Sequence, residues 1–227
     1  ATATKTALDD LGVWTDAASI DGLCGPRHLA VYARGIAVSQ PDRLIEKRGP
    51  RVGAPEAAIA GFVTSAQVPR EALVEVDTPK GRFFFARNNV TGAETKSLLG
   101  DVVRSILTEF PWPKSQRWGR GSFRWVRPLH RINILFDGDA LAGSFDLGDS
   151  DTLTFGTTSC GHYFESPGDI SLKGVGSVDD FKQRLALAHV IIDQSDRRAA
   201  IIDGARSLAK SVDCTVNEAQ LSGYIQD

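Results

Sequence analysis

Between Phe110 and Arg131 the sequence sets Lys114, Arg117, Arg120, Arg124, Arg127 and Arg131 among Phe110, Trp112, Trp118, Phe123 and Trp125, with no acidic residue in the run. Guanidinium groups grip phosphate oxygens in pairs and stack on planar bases, and indole and phenyl rings offer stacking faces. A strip of this make-up suits RNA. A second reading stands beside it: the tryptophans belong to a core, and the arginines pair with Asp137, Asp139, Asp146, Asp149 and Asp151, which follow directly. That would make a salt-bridge seam, within the chain or against a subunit, rather than a nucleic-acid face.

Other candidate chemistry is sparser. Lys47, Arg48 and Arg51 share a stretch with Gly49, Pro50, Gly53 and Pro55, which reads as a basic loop able to hold a phosphate or a partner's acidic surface. It lacks the GxxxxGK[ST] order of a P-loop, and a solvated loop is the plainer reading. Asp137-Gly138-Asp139 opens like a calcium loop without the later bidentate acid, so a hairpin turn is expected. His28, His130, His162 and His189 stand in no HxH, HExxH or HxxE spacing. Cys160-Gly161-His162 has no third member of a triad within view. A small hydrolytic pocket would need His130, Cys160 and His162 to converge. No catalytic centre is legible from residue chemistry.

The elements that must position these groups follow from periodicity and punctuation. Residues 4–12 read as a helix, followed by a loop, and His28–Val38 as a strand closed by Gln40-Pro41-Asp42. Pro55 stands as the first helical residue of a helix through Ala66. Leu73–Val76 and Arg82–Asn88 form strands about a Thr78-Pro79-Lys80-Gly81 turn. Thr95–Phe110 carries a clean amphipathic stripe ended by Pro111 and Pro113. Strands are expected over 123–136 and 152–158. Ser177 caps a helix bearing Phe181, Leu185, Ala188, Val190 and Ile191, and Ser195 starts another with Ile201, Ile202, Ala205, Leu208 and Ala209 facing inward. Helices and short strands do not alternate regularly, so the expected class is α+β: a mixed, mainly antiparallel sheet with flanking helices.

Composition sets the outer limits. The 227 residues are 42% hydrophobic and 24% charged, as in an ordinary globular chain. No apolar run approaches the roughly 18–20 residues a bilayer requires, so no membrane partner is expected. The net charge of −2 conceals a division at Arg131: 19 Lys/Arg against 13 Asp/Glu before it, and 7 against 15 after it. Three widely spaced cysteines, Cys24, Cys160 and Cys214, fit neither a disulfide framework nor a zinc site. They point to a reducing, cytoplasmic setting. The absence of Met suggests a piece of a longer protein, divided into an α+β domain over 1–175 and the start of a helical region over 176–227.

Taken in order, several segments resemble one family. Glu46-Lys47-Arg48-Gly49-Pro50 with Ala57, Gly61 and Phe62 is similar to a stretch near the start of the bacterial glycyl-tRNA synthetase β subunit, and Arg27-His28-Leu29-Ala30 resembles an earlier one. Pro113-Lys114 with Arg117-Trp118-Gly119, then Phe123 with Arg127-Pro128 and His130, resemble two further motifs. Gly161-His162 with Phe164, Pro167 and Gly168, then Arg197-Arg198, complete the series. The sequence departs from that pattern at His28, where the family has Arg. It departs again at Gln116 (Met), Arg131 (Trp) and Ser159-Cys160 (Thr-Arg).

The resemblance implies an N-terminal portion of a diverged β subunit, partly similar in fold to the editing-domain type of the phenylalanine enzyme's β subunit. It implies an ATP-dependent glycine–tRNA ligase of two α and two β chains, with glycine, ATP and magnesium held by the α subunit and no cofactor in this segment. The β chain would recognise and position tRNA. Its expected partners are the α subunit and glycine tRNA. The expected contacts to RNA or a neighbouring domain are Lys47, Arg48, Arg51, Lys114, Arg117, Trp118, Arg124, Arg127, His130 and His162, with no catalytic and no metal-binding residue. The alternatives are a structural scaffold at a subunit interface and the small editing-like pocket.

Overall fold

A computed structural model describes residues 1–225. The fold is α+β: among the described residues, six α-helices and eleven short strands, every ladder between named strands antiparallel. The strands form five small sheets rather than one. By its contacts the chain divides into two compact units, one of residues 1–36 with 96 onward, the other of Ala37–Thr95.

The first unit opens with α1 (Thr2–Asp10) and a hairpin of β1 (Ser19–Gly25) and β2 (His28–Arg34), turned at Pro26-Arg27. The stretch expected to be a loop before His28 is therefore the strand β1. Asp21 and Gly22 are exposed, and Leu23 alone is buried, against Leu185 and Ile192. The same cluster draws on the half-buried Ala30, Ile170, Val178, Phe181 and Val190. Helix α3 (Thr95–Glu109) lays Leu99, Val103 and Leu107 on a second core of Ile132, Ile134, Phe145, Leu147 and Phe155.

Between that helix and Ile134 the expected long strand is absent. Residues 123–134 run irregularly, tied by single bridges between Gln116 and Trp125 and between Ile132 and Phe155, and strand structure begins only at β6 (Leu135–Phe136). Pro128 has no amide to donate to a ladder, and Phe123 and Trp125 pack into the aromatic cluster instead. The hairpin of β6 and β7 (Asp139–Ala140) turns on Asp137 (φ 52°) and Gly138 (φ 81°), as the Asp-Gly pair foretold. Strands β8 (Ser144–Gly148) with β9 (Asp151–Thr154), and β10 (Thr158–Cys160) with β11 (Asp169–Ser171), follow.

Helix α4 (Val178–Leu187) starts as expected, Ser177 Oγ accepting from Asp180 N at 3.1 Å. Helix α5 (Gln194–Ser211) is capped by Asp193, not Ser195: the Asp193 carboxylate takes the Ser195 and Asp196 amides, so Ser195, two positions on, lies already in the first turn. Its expected inward stripe is not buried. Ile201 is 42% and Leu208 70% exposed, and the helix is held instead at its start, where Arg197 donates to Cys24 O at 3.0 Å. A short α6 (Glu218–Tyr224) follows. No helix among the described residues is long and apolar enough to cross a membrane.

The second unit is a three-stranded sheet, ordered β3 (Arg43–Arg51), β5 (Gly81–Val90), β4 (Leu73–Thr78), backed by α2 (Glu56–Ala66). The expected basic loop is thus an edge strand, bulged between Arg48 and Arg51 where Pro50 cannot donate to the ladder. Gly49 is required there: a Cβ would lie 2.4 Å from the Phe62 ring. Pro55 precedes α2 as its cap rather than opening it. Phe62, Val68 and Ala86 make the core. The ends of the unit meet, Thr95 N donating to Val38 O at 2.9 Å and its Oγ1 to Ala37 O.

Candidate nucleic-acid interface

The strip 110–131 separates its two residue types. Phe110 stacks on Trp112 at 4.6 Å, and both meet Trp125 at 5.1 Å. Phe123 stacks on Trp125 at 5.9 Å and takes Trp118 and Phe145 edge-on. Trp125 is 5% exposed. Backbone bonds between Gln116 and Trp125, 2.8 and 3.1 Å, close the loop over this cluster. The rings are therefore an internal scaffold, and Trp118 serves it, half-buried against Phe123.

The cations turn the other way. Lys114, Arg117, Arg120, Arg124, Arg127 and His130 are all exposed. Arg124 is spent locally, donating to Ser115 O at 2.7 Å and Ser115 Oγ at 3.3 Å. Arg131 holds Ser159 O at 2.8 Å and Asp169 at 2.6 Å. Among the described residues Lys114, Arg117, Arg120 and Arg127 make no ion pair, and no strip cation pairs with the acids of 137–151. Three of those acids build turns instead: Asp137 and Asp149 adopt positive φ, and Asp146 accepts from Gly148 N at 2.7 Å. Within the chain, among the described residues, the seam of the rival reading is not formed.

In the second unit the three expected cations divide their work. Lys47 donates to Ser65 O at 3.0 Å. The Arg48 guanidinium lies 3.7 Å from the Phe83 ring centre and that of Arg51 5.4 Å, and Arg51 also donates to Lys80 O at 2.8 Å. The acids of this sheet are occupied elsewhere, Glu46 by Arg87 at 2.6 Å and Asp77 and Glu75 by Arg82 at 3.0 and 3.6 Å. Two guanidiniums therefore share one ring with no carboxylate between them, an arrangement that favours an anion.

The pocket reading asked for His130, Cys160 and His162 together. Cys160 Sγ instead meets His28 Nε2 at 3.6 Å, and the same nitrogen lies 3.1 Å from Cys160 O. Burial pushes the His28 pKa down, opposed by that backbone hydrogen bond and assisted by the Arg27 charge. His162 is exposed, its Nδ1 accepting from Glu165 N at 3.1 Å. No contact among the described residues joins His130 to either. No group of three or more His, Cys, Asp or Glu among the described residues is placed to hold a metal ion.

Sequence reasoning passed over His28 as a contact of Cys160, 132 residues away, and over Tyr163 and Phe164, which stand in solvent. The second pair had a signal: two aromatics in a loop bounded by Gly161 and Pro167-Gly168.

Fold and surface together define an α+β protein of small antiparallel sheets whose unpaired cations ride on a buried aromatic frame. The chain belongs to the glycyl-tRNA synthetase beta subunit family, whose sequence profile matches residues 2–222. It is 36% identical to the glycine–tRNA ligase beta subunit of Rhodospirillum centenum, over 82% of this chain and 28% of that one. It is 38% identical to that of Paracoccus denitrificans, over 81% and 26%. The Ruegeria protein of the same name is 37% identical, over 85% and 27%. The chain thus spans about a quarter of the length of these curated relatives.

Proposed function

We propose that this chain recognises and positions tRNA as a segment of a glycine–tRNA ligase β subunit. It supports the ATP-dependent attachment of glycine to its tRNA by a partner α subunit, in a cytoplasmic assembly of two α and two β chains. Glycine, ATP and magnesium belong to the α subunit in this reading, and this segment supplies binding energy and orientation rather than chemistry. The family and the relatives' names support the assignment to the ligase.

The observation that carries the tRNA role is the set of exposed cations without acidic partners among the described residues, Lys114, Arg117, Arg120 and Arg127, on a backbone that the aromatic cluster holds in place. A rigid frame lowers the ordering cost of binding, and each phosphate neutralised releases condensed counterions. The test is titration of glycine tRNA across a range of salt. Arg117→Ala and Arg127→Ala should each weaken binding and reduce the slope of log affinity against log salt, by roughly one unit for each phosphate left without its cation. Melting should not change, because neither side chain holds the fold. Unaltered affinity and slope in both variants would remove tRNA binding from this strip.

A further inference from the structure

We propose that Tyr163 and Phe164 form a stacking platform for unpaired nucleotides of a single-stranded RNA segment, flanked by Arg27. The proposal rests on the tRNA-handling reading above and deepens it, because it assigns the bases to a place the strip does not provide.

The rings of 110–131 are committed to one another and to the core, so they cannot receive bases. The opposite holds in the loop 161–168. Tyr163 is 64% and Phe164 80% exposed, and of the eleven phenylalanines in the chain Phe164 alone is among the exposed large apolar residues. The two rings meet edge to face at 4.8 Å, and the Arg27 guanidinium lies 5.3 Å from the Tyr163 ring centre. An outward phenyl ring adds nothing to the core, and its apolar area is stabilising only once a partner covers it.

The loop is not loose. His162 N donates to Ala188 O at 2.9 Å, Ser166 N to His162 O at 3.0 Å and Glu165 N to His162 Nδ1 at 3.1 Å. Only glycine fits at position 161, since a Cβ would come within 2.7 Å of Ser166 O and 3.0 Å of Ala188 O. At its base, Cys160 pairs with Asp169 across β10 and β11. The aromatics are therefore presented in a fixed orientation, with little ordering cost left to binding.

Charge and continuity select the occupant. The exposed cationic side chains here are Arg27 and, at the loop base, Arg131; Glu165 is the one acid on the loop, and Asp169 is occupied by Arg131 and Thr158. Arg131 is also the last cation of the strip, and it bonds Ser159 O, two residues before the loop. Phosphates on the strip and bases on the loop would lie along one continuous stretch of structure. Cations beside open aromatic faces are the common means of holding single strands without reading sequence. A protein partner is the other macromolecule that could cover these rings, and the experiment separates it.

Binding of a labelled single-stranded oligoadenylate and of a blunt RNA duplex of equal length is measured on the full chain at several salt concentrations. The double variant Tyr163→Ala with Phe164→Ala should weaken oligoadenylate binding by about tenfold or more, with an unchanged salt slope, because stacking disappears while every phosphate keeps its cation. Duplex binding should hold, and so should the melting temperature, since both rings are exposed. Tyr163→Phe with Phe164→Tyr should bind oligoadenylate like the parent. Oligoadenylate affinity unchanged in the alanine variant overturns the platform and leaves the rings to a protein partner, with the strip's role intact. A parent chain that binds duplex but not oligoadenylate overturns it equally. Binding of neither RNA overturns the platform and the tRNA reading together.

Discussion

Asp193 gathers an unusual set of partners for one carboxylate. One oxygen accepts from the Ser195 amide at 2.9 Å, the Ser195 hydroxyl at 2.6 Å and the Asp196 amide at 3.3 Å, while the other takes the Lys182 ammonium. The Lys182 hydrogen bond first, then that of Ser195, holds its pKa well below the usual carboxylate range, and the same interaction raises that of Lys182. A carboxylate whose folded pKa is depressed adds stability that is complete above its unfolded value, about 4, and is lost as pH falls toward the folded one. Asp193→Ala should therefore cost about 1 kcal/mol or more at neutral pH, through removal of the helix cap and of the ion pair. Asp193→Asn keeps a capping oxygen and should cost less. Melting curves run from neutral pH downward should show the difference between parent and Asn variant closing below about pH 4; a gap that persists there would mean that Asp193 does not act through its charge. Cys160 and His28 show the same economy at another point. They stand 132 residues apart in sequence, and they touch. Each is visible along the chain, but only the fold brings them together.

Among the elements, the loop 161–168 is pinned where Gly161 passes close to the backbone of Ser166 and Ala188. Gly161→Ala should destabilise the chain by roughly 1–3 kcal/mol, since a Cβ meets backbone oxygens that cannot yield as a side chain would. Thermal denaturation would measure it, and a neutral outcome would show that the loop shifts freely. Elements with a strong period were legible in the sequence. The stripe of α3 reads directly as Leu99, Val103 and Leu107 on the core, and Ser177 announces α4. The hairpin of β4 and β5 follows from its turn, where Thr78 Oγ1 donates to Gly81 O at 2.7 Å. Elements whose shape depends on distant partners were not. Gly49-Pro50 signals a loop locally, yet the ladder to Phe83 and Phe85 and the ring of Phe62 keep β3 extended through a bulge. The stripe of α5 has the period of a buried face without the neighbour that would bury it. The candidate interface was legible in part. Exposed cations in 110–131 followed from the absence of acids, whereas which aromatics face inward was fixed by Phe145 and Trp125, through packing no local pattern reveals.

At the scale of the molecule, the charge division that the sequence places at Arg131 does not follow the structural units. Residues 37–95 hold 8 Lys/Arg against 7 Asp/Glu, nearly neutral, and the unpaired cations are sorted within each unit by local pairing instead. Each unit also has its own core, and the smaller depends on few residues: Phe62, Val68 and Ala86 are buried together, with α2 supplying the ring that lies on Gly49. Phe62→Ala should cost about 3–5 kcal/mol, a large share of what so small a core provides. The loss should be confined. Amide exchange should accelerate across β3, β5 and α2, while the amides of Ile134, Phe145 and Leu185 keep their protection, because their clusters contain no residue of 37–95. The same variant tests how the cations are shared in RNA binding. If Lys47, Arg48 and Arg51 bind phosphate through the arrangement around Phe83, unfolding that unit lowers the salt slope by up to about three, and the slope due to Arg117 and Arg127 survives. Exchange that quickens equally in both units would show a single cooperative domain. A slope unchanged while 37–95 exchanges freely would assign RNA binding to the strip alone.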